Sequence, residues 1–200
     1  MPTPELSRRE RKKDETRQRI FHEAIRLFRE KGFEATTIED ITDSADVAKG
    51  TFFNYFPKKE AVLAYLFEQQ LEPGDAEMAG LLSQARPVRD KIRQMFIWAA
   101  AVHEEDRELT RWVLQELVAR AFNPGEEYHA RWHDLIVRLI EQGRQHGELR
   151  GTVNPETAEA VLSGVYMASL FSWACCIHGE EDLRRELTSR LDLVFDGMVA

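Results

Sequence analysis

The chain has 200 residues, 43% of them apolar and 31% charged, which excludes disordered and fibrous classes and allows one medium domain or two small ones with a sizeable core. Thirty-five acidic residues against 27 Lys and Arg give a net charge of −8, so the surface as a whole is not built to bind polyanions. The excess is uneven: residues 1–70 hold 13 basic and 13 acidic groups, residues 71–200 hold 14 and 22, and five of the first 13 residues are basic. Two cysteines, adjacent at Cys175 and Cys176, give no disulfide framework and suit a reducing cytoplasm. The first residues, MPTPELSRRERKKDETRQR, have no apolar run of the signal-peptide kind.

Apolar residues recur at three and four positions, and no segment alternates with period two, so an all-α chain of nine or ten helices is predicted. The expected spans are 14–31, 37–44, 48–55, 58–71, 75–84, 87–105, 108–122, 125–146, 155–178 and 180–197. In the first, Ile20, Ala24, Leu27 and Phe28 form one stripe, and Gly32 ends it. Thr36-Thr37-Ile38-Glu39 has the pattern of a capping box opening the second helix, whose inner face is Ile38, Ile41 and Ala45. A turn at Ser44-Ala45-Asp46-Val47 follows, with Asp46 suited to positive φ. Val47, Phe52 and Phe56 supply the third helix. Helices of about eight residues cannot stand alone, so the three share one small core in a helix-turn-helix layout.

With Phe52 and Phe56 turned inward, Lys49, Thr51, Phe53, Asn54 and Tyr55 face solvent. A cation, a hydroxyl, a carboxamide and a phenol are groups that reach phosphates and base edges, and Gly50 lets backbone approach a phosphate. Asn54 is the candidate for reading adenine. Thr37 or the amides beside it, at a helix N-terminus, can meet a phosphate as well as cap. Arg8, Arg9, Arg11, Lys12 and Lys13 read either as a solvated disordered tail or as an arm along the DNA backbone or minor groove.

Residues 14–70 resemble the N-terminal domain of the TetR family of bacterial one-component transcriptional regulators. The resemblance rests on Phe28-x-x-x-Gly32-Phe33, Thr36-Thr37 with Ile38 and Ile41, Lys49-Gly50-Thr51 with an aromatic run, then Lys59-Glu60 and a leucine-rich helix. It implies that Thr37, Lys49, Gly50, Thr51, Phe53, Asn54, Tyr55 and Lys59 contact operator DNA. The pattern departs at Asp46, where glycine is usual, at Ala48, and at Asn54-Tyr55, so the base preference is this chain's own. The expected domains are an arm and helix-turn-helix at 1–57, a connecting helix at 58–73, and a ligand-binding and dimerisation domain at 74–200.

In that last region the helix 87–105 carries Val88, Ile92, Met95, Phe96 and Ala99 on one stripe. All four tryptophans fall beyond residue 70. Large side chains with polar tips suggest a cavity wall, and the resemblance implies a pocket, assigned to Trp98, Val102, Trp112, Trp132, Tyr166 and Trp173. His129 and His133 stand at i, i+4 on the flank of their helix without a third ligand, so no metal is expected. Cys175-Cys176 reads as apolar packing rather than a thiol sensor. No nucleophile motif or phosphate loop is present, so no catalytic residue and no cofactor are assigned.

Residues 160–177 form an uncharged run of 18, but its serines and glycine, the Asn154-Pro155 cap and its acidic flanks argue for a buried helix rather than a membrane span. With the following stripe Leu183, Leu187, Leu191, Val194 and Met198 it is expected to form a two-fold four-helix bundle, with Gly164, Ala168, Leu187, Leu191 and Val194 at a homodimer interface. The resulting expectation is a repressor released from a palindromic operator by a small apolar or aromatic effector. The alternatives are a DNA-binding protein without a ligand and an enzyme using the aromatic cavity.

Overall fold

Ser7 decides where the first helix begins. Its hydroxyl accepts from the Glu10 amide (3.3 Å) while the Glu10 carboxylate accepts from the Ser7 amide (2.8 Å), a reciprocal cap that satisfies two backbone donors. Helix α1 therefore spans Arg8–Lys31, six residues longer at its start than the sequence predicted. The basic run Arg8 to Lys13, read as a tail or arm, is two exposed helical turns. The computed structural model describes residues 7–66, 69, 78, 80–120, 127–175 and 182–199, without the side chains of 116–120 and 127–130. Phe67, Pro73-Gly74, Cys176 and the side chain of His129 lie outside the described residues, as does most of the expected helix 75–84. Of that last element the description holds Met78 and a 3-10 turn at Leu81–Ser83.

The chain divides into two compact units, Met1–Phe67 and Glu68–Ala200. In the first, α1 supplies Ile20, Ala24, Leu27 and Phe28, all buried. Helix α2 (Ile38–Ser44) begins at Thr37, whose hydroxyl accepts from the Asp40 amide (3.1 Å) as the Asp40 carboxylate accepts from the Thr37 amide (3.0 Å). The cap thus sits one residue later than the Thr36-to-Glu39 box read from sequence, because Thr36 is buried and donates instead to the carbonyls of Leu27 (3.2 Å) and Gly32 (2.8 Å). Asp46 takes φ 50° at the corner, as expected. Helix α3 (Lys49–Phe53) is a single short helix that closes the unit through Phe52. Helix α4, residues 60–66, buries Val62, Leu63, Tyr65 and Leu66.

The second unit comprises α5 (Val88–Glu104), α6 (Arg107–Arg120), α7 (Glu127–Gln145), α8 (Pro155–Ala174) and α9 (Leu183–Met198). That makes nine α-helices among the described residues, and no strand beyond one isolated bridge, Leu149 to Val199. The all-α expectation holds. Asn154 caps α8 on the Thr157 amide (2.9 Å) and Asp182 caps α9. Pro87 offers α5 no capping side chain, and the Glu148 carboxylate accepts from the Val88 amide instead (2.6 Å). Gly143 is a forced choice there: a Cβ would meet Leu149 at 3.0 Å and Val88 at 3.2 Å. Helix α8 packs against α6, α7 and α9, which is why its residues are apolar on nearly every side. No described helix is long and apolar enough to cross a membrane.

Leu187 and Leu191, placed at a dimer interface by sequence, are 0% exposed within one protomer, in line with Leu183 and Phe195. The stripe is the inner face of α9, because the core of the unit already uses it. The outer apolar surface is elsewhere, at Val161 and Leu193.

Candidate nucleic-acid interface and C-terminal aromatic cluster

Five residues of α3 and its following turn separate core from surface in a single helical revolution. Phe52 and Phe56 are 0% and 1% exposed, whereas Phe53 between them is 45% exposed. Lys49, Gly50 and Asn54 are also exposed, and Thr51 and Tyr55 are half-buried. The α-helical period explains this: positions 52 and 56 share the inward face, and 49, 50, 53 and 54 fall on the remaining arc. An exposed phenylalanine is costly in water, and here it lies among hydrogen-bonding groups. Its edge-on contact with Phe52, 5.6 Å between centroids, fixes its ring.

Thr37 is exposed at the start of α2, its hydroxyl engaged with Asp40. The Thr37 amide holds the Asp40 carboxyl down to about 2, with help from the Lys31 ammonium and the Thr37 hydroxyl. Lys49 forms an ion pair with Glu39 on α2, and that contact keeps the Glu39 carboxyl below the ordinary range. The lysine is thus held over the α2–α3 surface by an exposed, salt-sensitive pair.

Lys59 differs from its expectation. Its ammonium donates inward to the carbonyls of Phe33 (2.6 Å) and Thr36 (2.9 Å) and lies 4.3 Å from the centre of the Phe33 ring. It ties α4 to the entrance of α2. A lysine near a helix-turn-helix reads as a phosphate ligand from sequence because the carbonyls it meets come from 23 and 26 residues earlier. A second tie was not foreseen: Arg17 of α1 lies over the Tyr65 ring at 3.9 Å while Gln18 donates to the Tyr65 hydroxyl (2.7 Å).

In the C-terminal unit, Trp98 of α5 stacks on Trp132 of α7 with centroids 6.5 Å apart and planes at 29°. Tyr166 of α8 lies 5.3 Å from Phe96 and 6.4 Å from His103. Trp112 and Trp173 are buried, and Val102 is half-buried. Arg107 lies 5.1 Å from the Trp173 ring centre and donates to the Trp173 carbonyl. His103, which the sequence suggests with Tyr166 and the tryptophan N–H groups as a polar tip of the expected pocket, lies beside Tyr166. It is buried, with Nδ1 3.3 Å from the Thr110 hydroxyl, and burial pushes its pKa down to about 4.

His133 bridges Glu156 (2.8 Å) and Glu159 (2.9 Å) of α8, and Ser163 donates to Glu159 (2.6 Å). Burial alone would lower the His133 pKa, but the two carboxylates outweigh it and raise it. No cluster able to hold a metal exists among the described residues. Cys175 is exposed rather than part of the core. On α8, Gly164 and Ala168 are exposed, and Val194 of α9 is half-buried.

The family model of bacterial regulatory proteins of the TetR family matches residues 20–66, the span that contains α2, α3 and the core beneath them. Across the whole chain, the HTH-type transcriptional repressor DhaR of Mycobacterium sp. (strain GP1) is 40% identical over 198 residues, covering 92% of both proteins. This chain belongs to the TetR family. The crystal structure of Thermus thermophilus FadR, a TetR-family transcriptional repressor in complex with lauroyl-CoA, agrees with a TM-score of 0.73 and 34% identity, over 92% of this chain and 95% of that one. The HTH-type transcriptional regulator TcmR of Streptomyces glaucescens is 32% identical over 169 residues, covering 78% of this chain and 72% of its own. This TetR-family chain is accordingly a DNA-binding transcriptional regulator, and regulators of the family bind operator DNA and small-molecule effectors and act as dimers.

Proposed function

We propose that the protein is a repressor that holds a palindromic operator as a homodimer and releases it when a small apolar effector enters the C-terminal unit. Residues 1–57 bind DNA, 58–73 connect, and 74–200 bind effector and dimerise. The observation that carries this is the split between Phe52 and Phe56 at 0% and 1% exposure and Phe53 at 45%, which leaves one arc of α3 available to a major groove. On that arc, Asn54 reads a base edge, Lys49, Thr51 and Tyr55 meet phosphates, Gly50 gives close approach, and Phe53 touches a thymine methyl or sugar. Thr37 adds a phosphate contact at the start of α2. Lys59 acts indirectly, by fixing the backbone from which Thr37 projects.

The effector meets Trp98, Val102, Trp132 and Tyr166, with Trp112 and Trp173 behind them. The solved relative is in complex with lauroyl-CoA, whose apolar acyl chain, joined by a thioester to a charged coenzyme, is the part that an aromatic cluster of this kind suits. Dimerisation uses the exposed face of α8 and α9 around Val161, Gly164, Ala168, Leu193 and Val194. A selection of duplexes from random DNA by the purified protein tests the reading. It should enrich sequences with two symmetric half-sites whose centres are about 34 to 36 Å apart or a multiple of that. Enrichment of single asymmetric sites, or none, contradicts it.

A further inference from the structure

Helix α1 changes character along one face. Ile20, Ala24 and Phe28 lie on the side that packs into the N-terminal core, all fully buried. Continued toward the helix start at steps of three and four, the same side carries Arg17, Lys13 and Arg9. Lys13 and Arg9 are exposed and Arg17 is half-buried, so the stripe turns from apolar to basic where α1 runs past the edge of the core. All three cations precede the span 20–66 matched by the family model.

Arg17 is held without being paired. Its guanidinium lies over the Tyr65 ring at 3.9 Å and 5.8 Å from the centre of the Phe56 ring, a stack that gives the cation a face but no acceptor. Among the described residues it donates no hydrogen bond and joins no ion pair, not even with Asp14 one turn earlier. Nε is closed off from solvent without a partner, whereas Nη1 and Nη2 keep access to it. Other cations of this unit are engaged: Arg26 by Glu23 and Glu30, Lys31 by Asp40, Lys49 by Glu39, and Lys59 by two carbonyls. A guanidinium carries five donors, and partial burial with none of them engaged is unfavourable. The stack therefore presents Nη1 and Nη2 to an acceptor from outside the protein.

Phe56 follows Tyr55 directly, so this unpaired edge borders the arc of α3 assigned above to the major groove. What flanks a helix in that groove is the sugar–phosphate backbone. The minor groove is about 6 Å wide and an α-helix about 10 to 12 Å across. Fixed as a helix from the Ser7 cap onward, α1 lies against the backbone and does not thread the minor groove as a disordered arm does. A guanidinium meets a phosphate through two parallel N–H bonds. We propose that Arg17 binds a DNA phosphate beside each half-site, with Lys13 and Arg9 extending the positive stripe along the backbone. This rests on the reading of α3 as the DNA helix and adds to it a phosphate clamp from α1.

The test measures binding to the duplex enriched by the wild type, by fluorescence anisotropy between about 50 and 200 mM salt. Arg17→Gln should lower the slope of log affinity against log salt by about 2, one contact in each of two half-sites, because no ion pair in the free protein offsets the loss. Its loss of affinity should therefore be about tenfold greater at the low end of that range than at the high end. Arg17→Lys keeps the charge and should keep the slope. Arg19→Gln makes the same charge change on the opposite side of α1 and should leave the slope as in the wild type.

An unchanged slope for Arg17→Gln overturns the proposal, as does an equal fall for Arg19→Gln. Weaker binding at an unchanged slope would make Arg17 a positioning residue for Tyr65 instead. Because Arg17→Gln also removes the stack, duplexes with single uncharged methylphosphonate linkages read the same contact on the unmodified protein. A linkage outside the bases read by α3 should weaken wild-type binding and have no further effect on Arg17→Gln, and a series in which no such linkage weakens the wild type overturns the proposal. A wild-type slope for Arg17→Gln beside altered binding by Lys49→Ala and Asn54→Ala rejects this inference alone. A lowered slope for Arg17→Gln beside wild-type binding by both α3 variants supports it and rejects the reading of α3.

Discussion

The two units place their aromatic residues under opposite constraints. In α3, the neighbouring residues Phe52 and Phe53 differ from 0% to 45% in exposure, so one peptide step separates the core from the proposed DNA face. In the C-terminal unit, Phe96, His103 and Tyr166 come from two helices and meet in the interior. A surface that reads DNA is built from one helix and must be rigid before its partner arrives. The proposed effector site is built from several helices. The contrast teaches that local register sets the first function and tertiary packing the second.

The sharpest way to break this contrast is to exchange effects within the pair Phe52 and Phe53. Phe52→Ala should destabilise the N-terminal unit by about 3 to 5 kcal/mol, the usual cost of deleting a fully buried phenylalanine, seen as a lower urea midpoint. Phe53→Ala should move stability by no more than about 0.5 kcal/mol, as surface substitutions do, while lowering affinity for operator duplex. Comparable stability losses would show that Phe53 is part of the core.

The same comparison can be made on α8 and α9. Leu191→Ala should cost about 2 to 5 kcal/mol because its side chain is fully enclosed in the protomer. At Gly164 an added Cβ meets nothing within 4 Å, so Gly164→Leu fits the protomer but overfills a two-fold partner. Light scattering should report a dimer for the wild type and a monomer of near-native helicity for Gly164→Leu. A dimer in both would move the interface away from Gly164.

Thr37→Ala removes the α2 cap at a cost of about 1 kcal/mol. The cap also has a pH signature. Asp40 titrates in the fold near 2, below its ordinary 3.8, so the stability it contributes is present above about pH 4 and disappears as pH falls toward 2. Because alanine at 37 keeps the backbone amide that chiefly lowers Asp40, the signature is read with Asp40→Asn: acid titrations of wild type and Asp40→Asn, followed by circular dichroism, should diverge at neutral pH and converge at the acid end. A constant offset at all pH values would remove Asp40 from the cap.

The smallest effect concerns His133. Its folded pKa is raised, so its contribution is complete below about pH 6.5 and is lost as pH rises through the folded value. The group is exposed, so the effect should be small and weakened by salt. His133→Gln should flatten the wild-type slope of thermal midpoint against pH between 6 and 8. An unchanged slope would assign it to other groups.

Much of this was legible in the chain. Ile20, Ala24, Phe28, Phe52 and Phe56 announce their burial by helical spacing, and Asp46 its positive φ by its place in a short turn. The Ser7 cap was hidden because charges around it read as a solvated tail. Lys59 was misplaced because its acceptors are main-chain carbonyls of another segment, which no side-chain pattern encodes. Leu187 and Leu191 were given to a partner because an apolar stripe says that a face is covered without saying by which neighbour. His103 and Tyr166 are sixty-three positions apart in sequence, and only the crossing of α5 and α8 brings them together.

The central claim is that the exposed arc of α3 reads DNA, and the most direct measurement is duplex binding by wild type, Lys49→Ala and Asn54→Ala as a function of salt, followed by fluorescence anisotropy. Using the duplex enriched by the wild type, Lys49→Ala should reduce the slope of log affinity against log salt by about 1, the loss of one phosphate contact per half-site being partly offset by its pairing with Glu39. Asn54→Ala should keep the slope and lower discrimination against a changed base pair by about 1 to 3 kcal/mol. An unaltered slope for Lys49→Ala together with full discrimination by Asn54→Ala would place the DNA contact on another surface.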